Sequence, residues 1–599
     1  MTDRTTPESP STLPPNFEEL QNSWYQGVAK VFARVHKQDV ADVPLDIWKR
    51  LIQTTYDGVD VRPLYTRADE LAESPAPGQF PFVRGAKVTS DNTNGWGVRE
   101  TFGRQYPGED ALDPKAVNET LLTALENGTT DIRLDFTGSL EAADVPALLN
   151  NVYVDLAPIA VHAGKKTAQV AEALTSYIEQ ANPTNPDAVA VELSAAPLTS
   201  AFAGIDDISL DEATQLAVKA AKQPGDVRAL LVDGVVFSNL GANNIQEIGY
   251  SLAVGVAYLR ALTDAGLSAE EALGQIAFRF AATDDQFDTI AKFRAARVLW
   301  ARVAEVIGAP EAGRAPMHAV TAPVMFSQRD PWVNMLRVTV ASFAAGVGGA
   351  SSVEVLPFDY AVVGGPAGGS YFVEDLTEEM ADKAWEIFTG TEAGGGFASA
   401  EADIRAALDA TWEKRRADIA HRRTKVTAIN EFPNLAEAPL APEARPEGDP
   451  IRRWASDFEA LRNRSDDFLA EKGNRPLIAM LPLGPLAKHN IRTGFTSNLL
   501  ASGGIAVANP GQVVPGEAGF EEAVKASPIV VLCAADSEYE ASGQDAVKAA
   551  RAAGAKEVLV AGSEKSFANA AEDARPDGYL NMTIDAVAEL SRLLNELGA

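Results

Sequence analysis

The chain has 599 residues, 46% apolar and 23% charged, with a formal net charge of −31. That length allows several domains at roughly 150 residues each, and the composition is that of a soluble globular protein. The charge excludes nucleic acid as a main partner, because phosphate binding needs a basic surface, and the absence of any run of about 18 apolar residues excludes a membrane span. The single cysteine, Cys533, rules out an internal disulfide and suits a reducing cytoplasm.

The first 16 residues are polar, Pro-rich and without the apolar core of a signal peptide, so they read as a disordered lead-in. Residues 17–79 form an arm. Within it FEELQNSWYQGVAKVFARV and PLDIWKRLIQ carry helical apolar spacing, a pattern that packs equally well on a partner or on the chain's own barrel. From 80 to 400 short apolar strands alternate with helical stretches. The strand candidates are Asp131–Phe136, Val152–Leu156, Ala188–Leu193, Ala229–Ser238, Ile276–Phe280, Ala319–Phe326 and Val353–Leu356. Mostly apolar throughout, they suit parallel strands buried on both faces. Roughly eight such units point to a (β/α)8 TIM barrel.

Residues 401–474 begin in a charged helix, starting in ASAEADIRAALDATWEKRRADIAHRRTK, and pass into the Pro/Ala/Glu-rich linker NLAEAPLAPEARPEGDP. Residues 475–599 hold a second α/β pattern, with strands Pro476–Leu483, Ile505–Ala508, Ile529–Cys533, Glu557–Ala561 and Gly578–Asn581. Five strands alternating with helices imply a flavodoxin-like doubly wound sheet, whose ligands bind beyond the strand C-termini. On the first such loop, ahead of a helix expected over Arg492–Ser502, stands His489. A metal-ligating histidine is usually held by a carboxylate, yet the neighbours here are Ala487 and Arg492.

Other motifs carry less. His36, His162, His318, His421 and His489 lie apart and there is no CxxC or HExxH, so no protein-built metal site is expected. AGKKT (163–167) fails as a phosphate loop because the first glycine is missing and Lys166 takes the Ser/Thr place. GGPAGGSYFVE (364–374) has backbone amides that suit an anion, though a tight barrel-rim loop explains it equally simply. KRRADIAHRRTK (414–425) reads as a solvated helix face. Trp96 and Trp332 read as core packing.

Five segments together resemble methylmalonyl-CoA mutase: PFVRGAKVTSDNTNGWGVRETFG (81–103), NNIQEIGYSLAVGVAYLRAL (243–262), AKFRAARVLWARV (291–303), RDPWVNMLRVTVASFAAGVGGASS (329–352) and GGSYFVEDLTEEM (368–380). The resemblance covers nearly the whole chain and implies a barrel followed by a cobalamin-binding-type domain. It also implies which positions have changed. In active members a DxHxxG loop ligates cobalt. Here His489 is kept, Ala487 replaces the Asp and Arg492 the Gly. The Ser-rich strand end that holds the cofactor tail reads VVLCAADS (530–537), and a Gly-Gly turn reads Ala561-Gly562. In the barrel Asp91 stands for a family tyrosine, Asn244 for a histidine and Arg329 for a glutamine, while the 359–364 connection is shorter than the family's.

Such coordinated loss resembles the small (beta) subunits of bacterial heterodimeric mutases. The resemblance implies a cytoplasmic, non-catalytic chain with no catalytic residue, metal or cofactor of its own. It would support a catalytic large (alpha) subunit that holds adenosylcobalamin and interconverts methylmalonyl-CoA and succinyl-CoA. Two alternatives stand beside it. One is a stand-alone acyl-CoA-binding enzyme with altered chemistry, using Asp91 and Arg329. The other is a chaperone-like protein that docks on a mutase.

Overall fold

The computed structural model describes residues 13–71, 74–87, 95–105, 110–357, 371–440 and 450–599. Two units emerge, one of residues 1–323 with 335–411, the other of 324–334 with 412–599.

The first unit begins with helix α1 (Phe17–His36), which folds back on a 3-10 segment, Leu45–Leu51. A two-residue antiparallel ladder, Gln53–Thr54 against Asp60–Val61, follows. Eight parallel strands then close a barrel: β1 (Gly97–Phe102), β2 (Asp131–Asp135), β3 (Ile159–His162), β4 (Ala190–Ala195), β5 (Asp226–Asp233), β6 (Ile276–Ala282), β7 (Met317–Thr321) and β8 (Ser352–Glu354). Each strand pairs with the next, and β8 closes on β1 through Ser352–Gly97, Val353–Val98 and Glu354–Arg99. Long helices α2 (Asn244–Asp264) and α3 (Gln286–Val306) pack outside, with Tyr258, Phe293 and Trp300 fully buried. This is the TIM barrel that the alternation predicts.

Four strand expectations are corrected. Ala229–Ser238 and Ala319–Phe326 overrun strands that end at Asp233 and Thr321, where the chain turns helical over Val235–Asn239 and Pro323–Met325. Val152–Leu156 is a turn, not a strand: Asn151 takes φ 63°, and Tyr153 and Leu156 project into solvent. The strand begins one residue after Pro158, whose ring disfavours helix in the residue before it. The strand that apolar runs do not reveal is β1, whose GVRETF mixes charged and apolar residues. The 359–364 connection and the Gly-dense 364–370 turn lie outside the described residues.

The second unit holds five parallel strands in the order β10–β9–β11–β12–β13: β9 (Leu477–Pro482), β10 (Ala506–Ala508), β11 (Ile529–Cys533), β12 (Glu557–Ala561) and β13 (Gly578–Leu580). The chain order steps back once, from β9 to β10, and then runs forward from β11, so the switch point lies between β9 and β11. Apolar clusters cover both faces. One carries Ile478, Met480, Val531 and Leu559, the other Ala479, Leu481, Val530 and Val560. Continuous apolar runs are what two covered faces require.

Part of the expected linker is pinned rather than loose. Arg462 donates to the Asn434 carbonyl (2.9 Å) and to Glu437 (2.5 Å). The basic run at 414–425 is neutralised within its unit: Arg416 pairs with Asp457, Arg423 with Asp418 and Lys425 with Glu431.

Candidate functional site

The switch point of the five-stranded sheet is where a doubly wound fold binds its ligand. Here the crevice is filled from within. Only Leu483, Gly484 and Pro485 separate β9 from helix α4 (Leu486–Ser502), so His489 sits in the first helical turns and not on the expected loop. It is buried, and its Nδ1 has no hydrogen-bond partner. Ala487 is exposed beside it and supplies no acceptor. Next to the helix, the Ala535 N–H donates to the Lys488 carbonyl at 2.6 Å, joining the connection after β9 to that after β11.

Arg492 spans the gap that remains. Its Nη1 donates to the Ala561 carbonyl at the end of β12 (2.9 Å), and its Nη2 pairs with Asp536 after β11 (3.0 Å). A Cβ built on Gly562 would meet that guanidinium at 2.9 Å. Beneath it Tyr539, fully buried, accepts from the Ala534 N–H (2.8 Å) and lies 2.9 Å from the Leu532 carbonyl and 3.0 Å from that of Ala561. Burial pushes the Cys533 thiol up to about 12, so it is an inert apolar side chain and not a nucleophile. Tyr539 was not singled out from sequence. The signal for it was an aromatic six residues past a strand end that otherwise offers only Cys, Ala, Asp, Ser and Glu.

The barrel interior is the second place to look. Barrels of this type usually fill with branched apolar side chains. This one fills with charge. Arg99 donates to Asp131 (2.8 Å) and Glu192 (3.1 Å). Glu192 meets His318 Nε2 at 2.6 Å, and His318 Nδ1 meets Ser352 at 2.8 Å. Higher up, Arg133 (2.9 Å) and Thr101 (2.6 Å) both donate to Glu354, and Arg279 grips Asp233 through Nε and Nη2. At the mouth His162 lies 3.3 Å from Asp135, which also accepts from Thr137. The cavity left beside His162, Arg133, Ser194, Asp207 and Asp233 is about 40 Å³, room for a few waters. Ser194, at φ 51°, lines it where the β4–β5 register shifts.

This ion-pair column is what the expectation of mostly apolar strands leaves out. Its signal was the strict alternation Asp131-Ile-Arg133-Leu-Asp135, in which every second residue points to one face. Burial would raise the carboxyls of Glu192 and Glu354. Arg99 and His318 outweigh it at the first, and Arg133 at the second, so both are held below the usual range. A depressed native value makes stability present above the unfolded pKa and lost below it. The contribution of these two carboxylates is therefore expected to fall as pH drops below about 4, against the opposite trend of Asp131 and Asp233, whose carboxyls burial raises. In Glu192→Gln that acid limb becomes shallower. Denaturant melts at pH 3–6 check this, and an unchanged limb would contradict it.

Comparison with known proteins bears on both places. The methylmalonyl-CoA mutase family profile matches residues 142–365 and 362–474. A probable methylmalonyl-CoA mutase small subunit of Mycobacterium tuberculosis is 44% identical, covering 98% of each chain. The chain belongs to the methylmalonyl-CoA mutase family. The methylmalonyl-CoA mutase small subunits of Streptomyces virginiae and of Propionibacterium freudenreichii subsp. shermanii are 38% and 32% identical. The first covers 99% of each chain, the second 100% of this chain and 98% of its own. A solved glycoside hydrolase family 3 β-N-acetylglucosaminidase from Paenibacillus aligns at 13% identity over 84% of this chain and 95% of that one. Its TM-score of 0.19 carries no argument.

Each described barrel-segment position that the mutase resemblance singles out is held by partners within its own unit. Asp91 lies outside the described residues. Asn244 opens α2, and its Nδ2 donates to Asp57 (3.2 Å), whose other oxygen accepts the Ile245 N–H (3.1 Å). The mutase-family histidine position thus anchors the turn of the arm's small ladder. Arg329, in the second unit, is wholly buried: Nη1 pairs with Asp466 (2.6 Å) and Nη2 donates to Asn463 (2.5 Å). Its Nε, also buried, has no hydrogen-bond partner. Trp96 packs on Gly346 but is only half-buried, and Trp332 is largely exposed, so neither is a fully buried core residue. Lys166, in the rejected phosphate loop, caps the Gly138 and Leu140 carbonyls (2.9 Å each). Among the described residues no cluster of His, Cys, Asp or Glu suits a metal ion, and no helix is long and apolar enough to cross a membrane.

Proposed function

We propose that this chain is the non-catalytic, structural small subunit of a heterodimeric methylmalonyl-CoA mutase. In the complex the large subunit holds adenosylcobalamin and interconverts methylmalonyl-CoA and succinyl-CoA in the cytoplasm. Residues 80–400 are then the mutase-like barrel, 401–474 the connecting helix and linker, and 475–599 a flavodoxin-like sheet of cobalamin-binding type whose ligand site has closed.

The observation that carries the reading is the filled switch point. A cobalt-ligating histidine needs a free imidazole nitrogen facing the metal and an acceptor on its other nitrogen. His489 is buried in a helix, and its Nδ1 lacks any acceptor. The slot that a nucleotide tail would need is occupied by the Arg492 guanidinium, tied to Ala561 and Asp536, above buried Tyr539 and Cys533. The residues present do not fit cobalamin. Among the described residues of the barrel interior, Arg99, Arg133, Arg279 and His318 are all engaged by carboxylates, so none of these four is held free for a substrate carboxylate or thioester carbonyl. The polar mouth around His162 and Asp135 is the feature that favours the stand-alone acyl-CoA-binding enzyme. Its cavity is far below the volume of a site for a whole acyl-CoA.

The test is cofactor uptake and turnover by the purified chain. Adenosylcobalamin should keep its free spectrum in the presence of the chain, and mutase turnover should require the large subunit. Base-off binding, or turnover by this chain alone, contradicts the proposal. Ala487→Asp/Arg492→Gly should also fail to take up cofactor, because Tyr539 and Cys533 still close the crevice. Uptake by that double variant would mean the loop alone was the block. An equimolar complex that survives gel filtration supports a subunit, and transient association supports the chaperone-like alternative.

A further inference from the structure

Among the described residues, thirteen buried side-chain polar atoms lack a hydrogen-bond partner, and four of them fall in one cluster of the second unit. They are Arg329 Nε and Nη1, Arg462 Nε and Asp466 Oδ2. Arg329 and Arg462 are each 1% exposed and Asp466 2%, so bulk water does not serve them. The helix Ser456–Lys472 brings Arg462, Asn463 and Asp466 to one side, where Arg329 meets them. The contact of Arg329 Nη1 with Asp466 Oδ2, at 2.6 Å, is an ion pair without hydrogen-bond alignment. A buried donor left without an acceptor is costly, and such groups in a native fold usually answer to an ordered water or an ion.

Charge decides between the two. Three guanidiniums, of Arg329, Arg462 and Arg475, share two carboxylates. Asp466 meets Arg329 at 2.6 Å and Arg475 at 2.7 Å, while Glu437 meets Arg462 at 2.5 Å and Arg329 only at 4.0 Å. The next buried carboxylate, Glu459, is taken by Arg453 and by the Gln328 N–H, each at 2.6 Å. The remaining acceptors are neutral: Asn463 takes Arg329 Nη2 (2.5 Å), the Asn434 carbonyl takes Arg462 Nη2 (2.9 Å) and Ser465 takes Arg475 Nη1 (3.0 Å). One positive charge is left over. Burial pushes the Arg462 guanidinium down, Glu437 opposes this, and Arg329 and Arg475 add to it. Water can accept from the two Nε–H groups but cannot balance that charge, and a buried unbalanced charge costs more than a buried dipole. Donors on ionised side chains also hold an anion more strongly than a neutral acceptor. A single excess charge asks for a monovalent ion, and full enclosure asks for a small one.

We propose that Arg329 and Arg462 bind a small monovalent anion of halide size as a fixed part of the second unit, through their Nε–H groups. Native-state hydrogen exchange of the β11 and β12 amides in the full-length chain reports the opening of this unit. Sodium chloride is titrated against sodium gluconate at constant ionic strength, gluconate being too large for an enclosed site. Above the dissociation constant, exchange should slow about tenfold for each tenfold rise in chloride, the mass-action result for one ion held only by the folded unit. Asn463→Asp puts a carboxylate where the amide now accepts from Arg329, so a fixed charge replaces the ion. Its exchange should change less than about twofold over the same titration, and in gluconate alone it should be slower than the parent's. Arg329→Gln leaves two guanidiniums with two carboxylates and should lose the response as well. A general salt effect acts on all three chains alike. No chloride response in the parent would overturn the proposal and leave ordered water in the cluster. A response of equal size in Asn463→Asp or in Arg329→Gln would overturn it by placing the ion elsewhere.

Discussion

Lys292→Met is expected to lower the stability of the barrel unit by about 3–5 kcal/mol, the usual loss when one member of a buried ion pair is removed. Lys292 lies on α3 and Glu247 on α2, and both are fully buried. The ammonium donates to Glu247 Oε2 (2.5 Å) and to the Ala281 carbonyl at the end of β6 (2.7 Å). The other carboxylate oxygen accepts the Ala281 N–H at 2.8 Å. One pair thus fastens two helices to one strand. Methionine fills the volume but strands a carboxylate that burial already pushes upward. In Lys292→Met/Glu247→Gln no charge remains to be buried, and the amide can still accept from Ala281. That double variant should recover at least about 1 kcal/mol of the loss. Denaturation followed by tryptophan fluorescence reads this directly, since Trp300 is buried on α3. A loss below about 1 kcal/mol in the single variant would mean the pair is solvated.

Arg329→Gln should destabilise the second unit by about 2–4 kcal/mol and restore no activity, although it reinstates the residue that the family resemblance places there. Burial alone would raise the Asp466 carboxyl, but Arg329 and Arg475 together hold it below its usual range. Losing Arg329 leaves Asp466 with Arg475 at 2.7 Å, which keeps the expected cost in the lower part of the range for a broken buried pair. Thermal melting and a mutase assay in the presence of the large subunit check both halves. An unchanged melting temperature would contradict the structural role given to Arg329. New turnover by the isolated variant would contradict the loss of function.

How legible this molecule was depends on which physical signal carried each part. The sheet strands Ile529–Cys533 and Glu557–Ala561 fall where their apolar runs end, because both faces are covered and the run length equals the strand length. The strand β1 was hidden because its inward face carries Arg99 and Thr101 in place of branched apolar residues. The same substitution of charge for apolar bulk hid the whole interior column. Pairing is a property of eight strands brought together, and no single strand reveals that Arg99 will meet Glu192. His489 was legible as a histidine without its carboxylate. That it lies inside a helix was not. With three residues after β9 the helix begins at Leu486, and nothing in the apolar spacing marks that early start. Its Pro485 N-cap offers no side-chain acceptor to announce it. Arg492 was legible as bulk where the family keeps glycine, but its two tethers depend on the ends of β11 and β12, 44 and 69 residues away.

The closed crevice is the central claim, and cofactor stoichiometry tests it most directly. Calorimetric titration of adenosylcobalamin into the purified heterodimer should give one cofactor per pair of chains, and titration into this chain alone should give no binding heat. Two cofactors per pair, or saturable binding by this chain alone, would contradict the account.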